Sequence, residues 1–207
     1  MKGIIKGELE IEGNLILTGD LTVEKWINVT GYIDCAGYSI KAGEFIEAGS
    51  YIEAGDSIKA GEFIEAGGSI RAGYSIEAGS YIKAGEFIEA GSYIEAGDSI
   101  KAGSYIKAGE FIEAGGSIRA GYSIEAGYSI LAQLWVKAKT TISAGIYIYA
   151  GLVTWRKRDA EDMVIECEKL LSGEVAFGTL KEIEKVIEEI TIEQIYKTLN
   201  KNVKIIK

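Results

Sequence analysis

From Ala36 to Ala150 an alanine returns at every sixth position, twenty times without a gap. An isoleucine stands four residues after each alanine from Ile40 to Ile130, and a glycine follows the alanine from Gly37 to Gly127. The unit is Ala-Gly-x-x-Ile-x. Alternate side chains of a strand face opposite sides, so the Ile and the Ala two places later share one face and the charged residue between them takes the other. The glycine suits a corner, where a positive φ or a close backbone approach excludes a Cβ. A helix is disfavoured, because a glycine in every six residues would cost about 1 kcal/mol each time. Strand plus corner, repeated three times, closes an 18-residue coil. The expected fold is mainly β: a single-stranded, three-sided parallel β-helix, lined inside by isoleucine and alanine.

The beat reaches further toward the start, because Gly7, Gly13, Gly19, Gly31 and Gly37 keep the spacing, with Lys25 in place of one member. The solenoid is expected over residues 3–155. In residues 3–35 the apolar pairs stand one place off the later phase, as in Leu9 and Ile11, Leu21 and Val23, or Ile33 and Cys35. Either a wider end or a differently packed cap would explain this. Residues 36–155 carry the Ala-Gly-x-x-Ile-x coils, and residues 3–155 together would make about eight and a half coils, on the order of 40 Å of rod. After Arg156, Lys157 and Arg158 the beat disappears, and residues 156–207 are expected to form a small α+β cap or interaction segment. Met163 to Glu168 and Val175 to Phe177, around Ser172-Gly173, predict a hairpin. Leu180, Ile183, Val186, Ile187 and Ile190 have helical spacing, Thr191 with Gln194 suggests a second helix through Leu199, and Val203 to Ile206 a last strand.

Composition narrows the chemistry. The chain has no histidine and no proline, which removes Ser-His-Asp and Cys-His pairs and His-containing zinc sites. Cys35 and Cys167 lie far apart with no CxxC pattern, and are expected as reduced, buried thiols. Met1 to Gly13 lacks the apolar core of a signal peptide and no run is long enough to span a membrane, so a cytoplasmic location without membrane contact is expected. No catalytic residue, cofactor or metal site is assigned.

Residues 42–61 recur identically at 84–103, seven hexads on, and 62–79 recur at 110–127, eight hexads on. Neither shift is a multiple of three, so duplication moves each copied hexad to another face. A catalytic site needs groups held to about half an ångström, whereas extended binding tolerates such shuffling. On the 18-residue register one charge column alternates: Glu53, Arg71, Glu89, Lys107, Glu125. The other two, Glu47, Glu65, Lys83, Lys101, Arg119, Lys137 and Lys41, Lys59, Glu77, Glu95, Glu113, are bipolar in opposite senses, which would suit antiparallel pairing in a homodimer. Tyr38 to Gly127 holds 14 acidic and 7 basic residues, a balance of −7. Direct nucleic-acid binding is therefore not expected, and a protein with a basic surface is. The partner-binding candidates are outward aromatics with nearby acids: Glu44, Phe45, Glu47, Glu62, Phe63, Glu65, Tyr81, Glu86, Phe87, Tyr105, Glu110 and Phe111. Aromatic stacking between neighbouring strands is the alternative role for the rings.

The run of hexads resembles the hexapeptide-repeat β-solenoids, which include left-handed acyltransferases and the right-handed bacterial cytoskeletal bactofilins. Left-handed acyltransferases carry an aliphatic residue before the glycine, where this chain has Ala, and commonly a catalytic histidine. The departure favours a right-handed coil and a non-enzymatic role. Tandem Ile-x-Ala-Gly units followed by Ile165-Glu-Cys167 and Ser172-Gly-Glu-Val-Ala-Phe-Gly178 also resemble small proteins of phages and mobile elements, among them β-helical anti-CRISPR inhibitors. That resemblance implies an inhibitor that binds a nucleic-acid-binding effector complex in a bacterial host cell. The bactofilin resemblance implies a self-assembling scaffold, and an enzyme using carboxylates or lysine is the remote alternative.

Overall fold

The computed structural model describes residues 3–184. They are mainly β, built of short strands stacked in parallel with about 18 residues per turn. Face I begins with Gly3–Ile5 and Leu21–Val23 and continues from Ile40–Ala42 to Ile130–Ala132. Face II runs from Leu9–Ile11 and Ile27–Val29 through Ile46–Ala48 to Val136–Ala138. Face III holds Leu15–Ile16 and Ile33–Cys35, then Ile52–Ala54 to Ile124–Ala126. The long strand Thr141–Ala150 rounds a corner and belongs to faces III and I together.

The interior follows the beat. Every isoleucine of the series from Ile40 to Ile130 is at most 1% exposed, and each alanine from Ala42 to Ala150 at most 7%. Burying an isoleucine side chain contributes roughly 1.5–3 kcal/mol. Because the coils from Ile40 to Ala132 contribute nearly the same inward pair, Ile stacks on Ile and Ala on Ala through the middle of the rod.

Most corner glycines are of two kinds. Gly7, Gly13 and Gly37 adopt left-handed φ values of 102°, 97° and 82°. For the corner glycines from Gly43 to Gly145 the reason is contact, and Gly19 shows neither feature. A Cβ on Gly61 would lie 1.9 Å from the carbonyl oxygen of Gly43 one coil below, and one on Gly97 2.1 Å from that of Gly79. Corner backbones approach this closely because they bond to each other. The Gly61 N–H donates to the Ala42 carbonyl at 3.2 Å, and the Glu62 N–H to the Glu44 carbonyl at 2.7 Å.

The phase offset of the first coils has a local cause. Leu15 pairs with Ile33 one regular turn on, but Leu21, Ile27 and Ile33 pair with Ile40, Ile46 and Ile52, each one place beyond a regular turn. One extra residue sits in the corner between Cys35 and Ile40, as in a β-bulge. Ala36 is exposed at that corner, and Cys35 fills the inward seat beside Ile33, as the apolar pairing of the first coils suggests. The first coils continue the same three parallel ladders, displaced by one residue.

The stack also continues past Trp155, to about 10 turns, or roughly 50 Å at 4.8 Å per strand. Val164–Cys167 pairs in parallel with Val136–Ala138, and Thr179–Glu182 pairs in parallel with Val164–Cys167 on face II. Lys169–Phe177 follows Thr141–Ala150 around its corner. The expected hairpin is thus absent: Gly173, at φ 96°, bends the chain from face III to face I and does not reverse it. Thr179–Glu182 is strand and not the start of a helix. The only helical turn among the described residues is the 3-10 turn Ala160–Met163. The later helix and final strand expected from Thr191 to Ile206 lie outside the described residues.

Candidate protein-binding faces

Two outward columns run along each face: the residue between the inward Ile and Ala, and the residue just before the Ile. The first is the charge column. Strand pairing places Glu47, Glu65, Lys83, Lys101, Arg119 and Lys137 directly over one another on face II. Lys41, Lys59, Glu77, Glu95 and Glu113 do the same on face I. Face III alternates in sign, with Arg71 3.6 Å from Glu89 and Lys107 3.3 Å from Glu125. On the bipolar faces ion pairs form where the sign changes, Lys83 to Glu65 at 2.5 Å on face II and Lys59 to Glu77 on face I. Lys101 and Arg119 have no ion-pair partner among the described residues, nor do Glu47, Lys41, Glu95 and Glu113.

The change of sign on face I tunes its members. Burial pushes the Glu77 carboxyl upward, but hydrogen bonds from Lys59, Tyr93 and Ser75 outweigh it and hold Glu77 below the usual glutamate range. The same hydrogen bond raises Lys59, and the Tyr93 hydroxyl is raised by its bond to Glu77. On face II, burial followed by the nearby Glu65 carboxylate raises Tyr81.

The second column carries the rings. On face II, Trp26, Phe45, Phe63 and Tyr81 form a continuous stack with centroid spacings of 5.6, 4.8 and 4.9 Å and planes within 4°. Phe87 stacks on Tyr105 on face III, and Tyr93 on Phe111 on face I. The rings leave the outer side of the sheet and are half-buried, because each fits the strand spacing and covers its neighbour, which is the stacking role that the sequence offered beside that of an anchor. The twelve candidates do not form one patch. Glu44, Phe45, Glu47, Glu62, Phe63, Glu65 and Tyr81 gather on face II and its leading corner, Glu86, Phe87 and Tyr105 belong to face III, and Glu110 and Phe111 to face I.

No family model, curated protein or solved structure matches this chain. The functional reading therefore rests on the geometry of the faces alone.

Sequence reasoning passes over the exposed tyrosines. Tyr74, Tyr122 and Tyr128 are 54%, 59% and 55% exposed. The signal is present: in Gly-Tyr-Ser the ring follows the glycine and leaves the corner, whereas in Gly-Ser-Tyr or Gly-Glu-Phe it precedes the isoleucine and stacks. Equally unforeseen is the segment between Ala150 and Val164, which bulges from the corner before face II. Arg156 donates to both carboxylate oxygens of Asp162 at 2.8 and 2.7 Å, and Asp162 is 6% exposed and also accepts the Asp159 N–H. These bonds hold Asp162 below the usual aspartate range. Trp155, 64% exposed, donates its indole N–H to Gln133. A hollow of about 740 Å³ beside Arg119, Trp135, Lys137, Glu166 and Glu168 mixes both signs of charge.

Cys35 and Cys167 are free and fully buried, and burial pushes both thiols upward. Among the described residues no group of three or more His, Cys, Asp or Glu side chains could hold a metal ion, and no helix is long and apolar enough to cross a membrane.

Proposed function

We propose that this chain is a non-enzymatic protein-binding module that engages its partner along the flat faces of a stiff rod. The observation that carries this reading is the sorting of charge on faces I and II. Like charges opposed in neighbouring strands are destabilising, yet Glu77, Glu95 and Glu113 are stacked in this way, as are Lys83, Lys101 and Arg119. An isolated rod gains nothing from that arrangement. A partner with the opposite pattern turns it into steering, register and specificity.

The finer reading is an inhibitor resembling the β-helical anti-CRISPR proteins, with the acid column of face I set against the basic cleft of a nucleic-acid-binding effector. The test adds the purified protein to a purified CRISPR effector complex and measures DNA binding and co-elution. Inhibition that is lost in the triple variant Glu77→Lys, Glu95→Lys, Glu113→Lys supports the reading; undiminished DNA binding, with no co-elution, refutes it. A second reading is a bactofilin-like scaffold, favoured by the presence of bipolar columns on two different faces, which lets rods pack side by side. Filaments in negative-stain micrographs would select the scaffold, discrete particles the soluble module.

A further inference from the structure

The charge column of face II complements itself. Reading Glu10, Asn28, Glu47, Glu65, Lys83, Lys101, Arg119 and Lys137 along the rod, the first four oppose the last four in reverse order. We infer that two copies of this chain associate through face II as an antiparallel dimer. The two-fold axis lies in the interface, parallel to the strands, between the coils of Glu65 and Lys83. This rests on the binding-module reading and names its partner as a second copy.

That axis reverses the rod but keeps the strand direction, so each outward column meets its own counterpart. Glu65 faces Lys83 of the second copy, Glu47 faces Lys101, Asn28 faces Arg119 and Glu10 faces Lys137. No like charges oppose each other. The ring column fits the same operation: Trp26 and Phe45 come opposite the small Ser117 and Ser99, and Phe63 opposite Tyr81. Large side chains therefore meet small ones at two of the four positions, rings meet rings at the centre, and Glu8 faces Trp135 at the ends. Glu47 and Lys101, without an ion-pair partner among the described residues, acquire one. Arg119 acquires no ion-pair partner, but its guanidinium can donate a hydrogen bond to the Asn28 amide oxygen. Lys137 is shared with Glu166, 4.0 Å away in its own chain.

Face I is self-complementary over a shorter span. Lys59 and Lys41 would meet Glu77 and Glu95, but Glu113 would face Thr22, leaving an acid against a hydroxyl. Its rings, Tyr93 and Phe111, would lie against Ser39 and Asp20. Face II offers three reciprocal ion-pair types against two, together with the four-ring stack. This choice leaves the acid run of face I open on both copies for another partner.

Eight coils extend about 38 Å, and the outward strip is roughly 13 Å wide at 3.3 Å per residue. Roughly 500 Å² per copy, or about 1,000 Å² in total, is near the lower limit of a specific interface. Such a dimer depends on its charges, and salt that shortens the Debye length from about 10 Å at 0.1 M to about 3 Å at 1 M should dissociate it.

The test uses the full chain in light scattering and sedimentation velocity at 0.1 M and 1 M salt. The expected mass at low salt is twice the 22.3 kDa of one chain, falling to one chain at high salt. Glu47 and Lys101 stand three coils apart in one rod, too far for direct contact, so any coupling between them is intermolecular. Glu47→Lys and Lys101→Glu should each weaken association at least tenfold, and the double variant should restore it. Circular dichroism of each variant checks that the rod is intact. A single-chain mass at low salt overturns the inference, whether face II is then covered by another protein or by other parts of the chain. So does a dimer that ignores these changes but responds to Lys41→Glu and Glu95→Lys on face I. Either result leaves the effector-binding test above standing on its own.

Discussion

Replacing Gly85 by alanine should be among the most damaging single-methyl changes in the molecule. Its Cβ would lie 1.9 Å from the carbonyl oxygen of Gly67 and 2.9 Å from the carbonyl carbon. Relief requires the corner to open by about 1 Å, because backbone on both sides offers no flexible side chain to move. Two coil-to-coil bonds span that corner, Gly85 N–H to Ala66 and Glu86 N–H to Gly68, both at 3.0 Å. Losing them costs about 1–3 kcal/mol together, and the residual overpacking about 1–3 kcal/mol more. The expected total is about 2–6 kcal/mol. Gly19 is the control: it has an ordinary φ and no atom within 4 Å of an added Cβ, so Gly19→Ala should be neutral or stabilise by up to about 1 kcal/mol. Urea unfolding compares the two, and hydrogen exchange localises the loss. A solenoid unfolds in nearest-neighbour fashion, so the amides of Gly85 and Glu86 should lose protection ahead of remote coils. If the two variants unfold at the same urea concentration, close backbone stacking is not why the corners carry glycine.

Two further outcomes follow from the faces. Phe63→Ser removes the ring that contacts both Phe45 and Tyr81; at about 0.5–1.5 kcal/mol per aromatic pair it should cost about 1–3 kcal/mol in urea unfolding while the circular dichroism stays unchanged, since Ser99 and Ser117 occupy equivalent seats. Glu77→Gln tests the face I ion pair through pH: because Glu77 titrates below its ordinary 4.5 in the folded chain, its contribution is present above that value and disappears as the pH falls through the depressed one. The stability gap between wild type and Glu77→Gln should be open at pH 7 and close in acid, and a gap independent of pH would contradict the pairing.

Most of the coil is legible because one rule is applied twenty times. Ile and Ala two residues apart specify a strand with one buried face, and the spacing of six specifies where it bends. What escapes the reading are departures from that rule. The extra corner residue before Ile40 is hidden because Ala36 keeps the alanine count while Cys35 takes the interior seat. The strands from Val164 to Glu182 lose the beat altogether, since the turn that pairs Ile165 with Leu180 is shorter than a regular coil. A shortened final turn therefore looks like a hairpin followed by a helix. The charge columns are readable in full, because parallel in-register pairing transfers sequence spacing directly to a face. The rings are readable in part, because outward alternation places them and leaves two roles open, anchoring a partner or stacking on the next strand. Phe45 and Phe63 stack at the strand spacing and half-bury one another.

The six-residue beat becomes a ruled rod in which the coils fix the distance between any two outward positions of one column. Thr22 and Leu131 stand on face I six coils apart, a separation of about 29 Å at 4.8 Å per coil. With Cys35 and Cys167 replaced by alanine, spin labels on Thr22→Cys and Leu131→Cys, diluted with unlabelled chain, report that distance by pulsed electron resonance. The rod gives one narrow distribution centred near that separation, broadened only by the label linkers. A broad distribution, or one centred at a much shorter distance, would contradict the stacked coil on which every face described above depends.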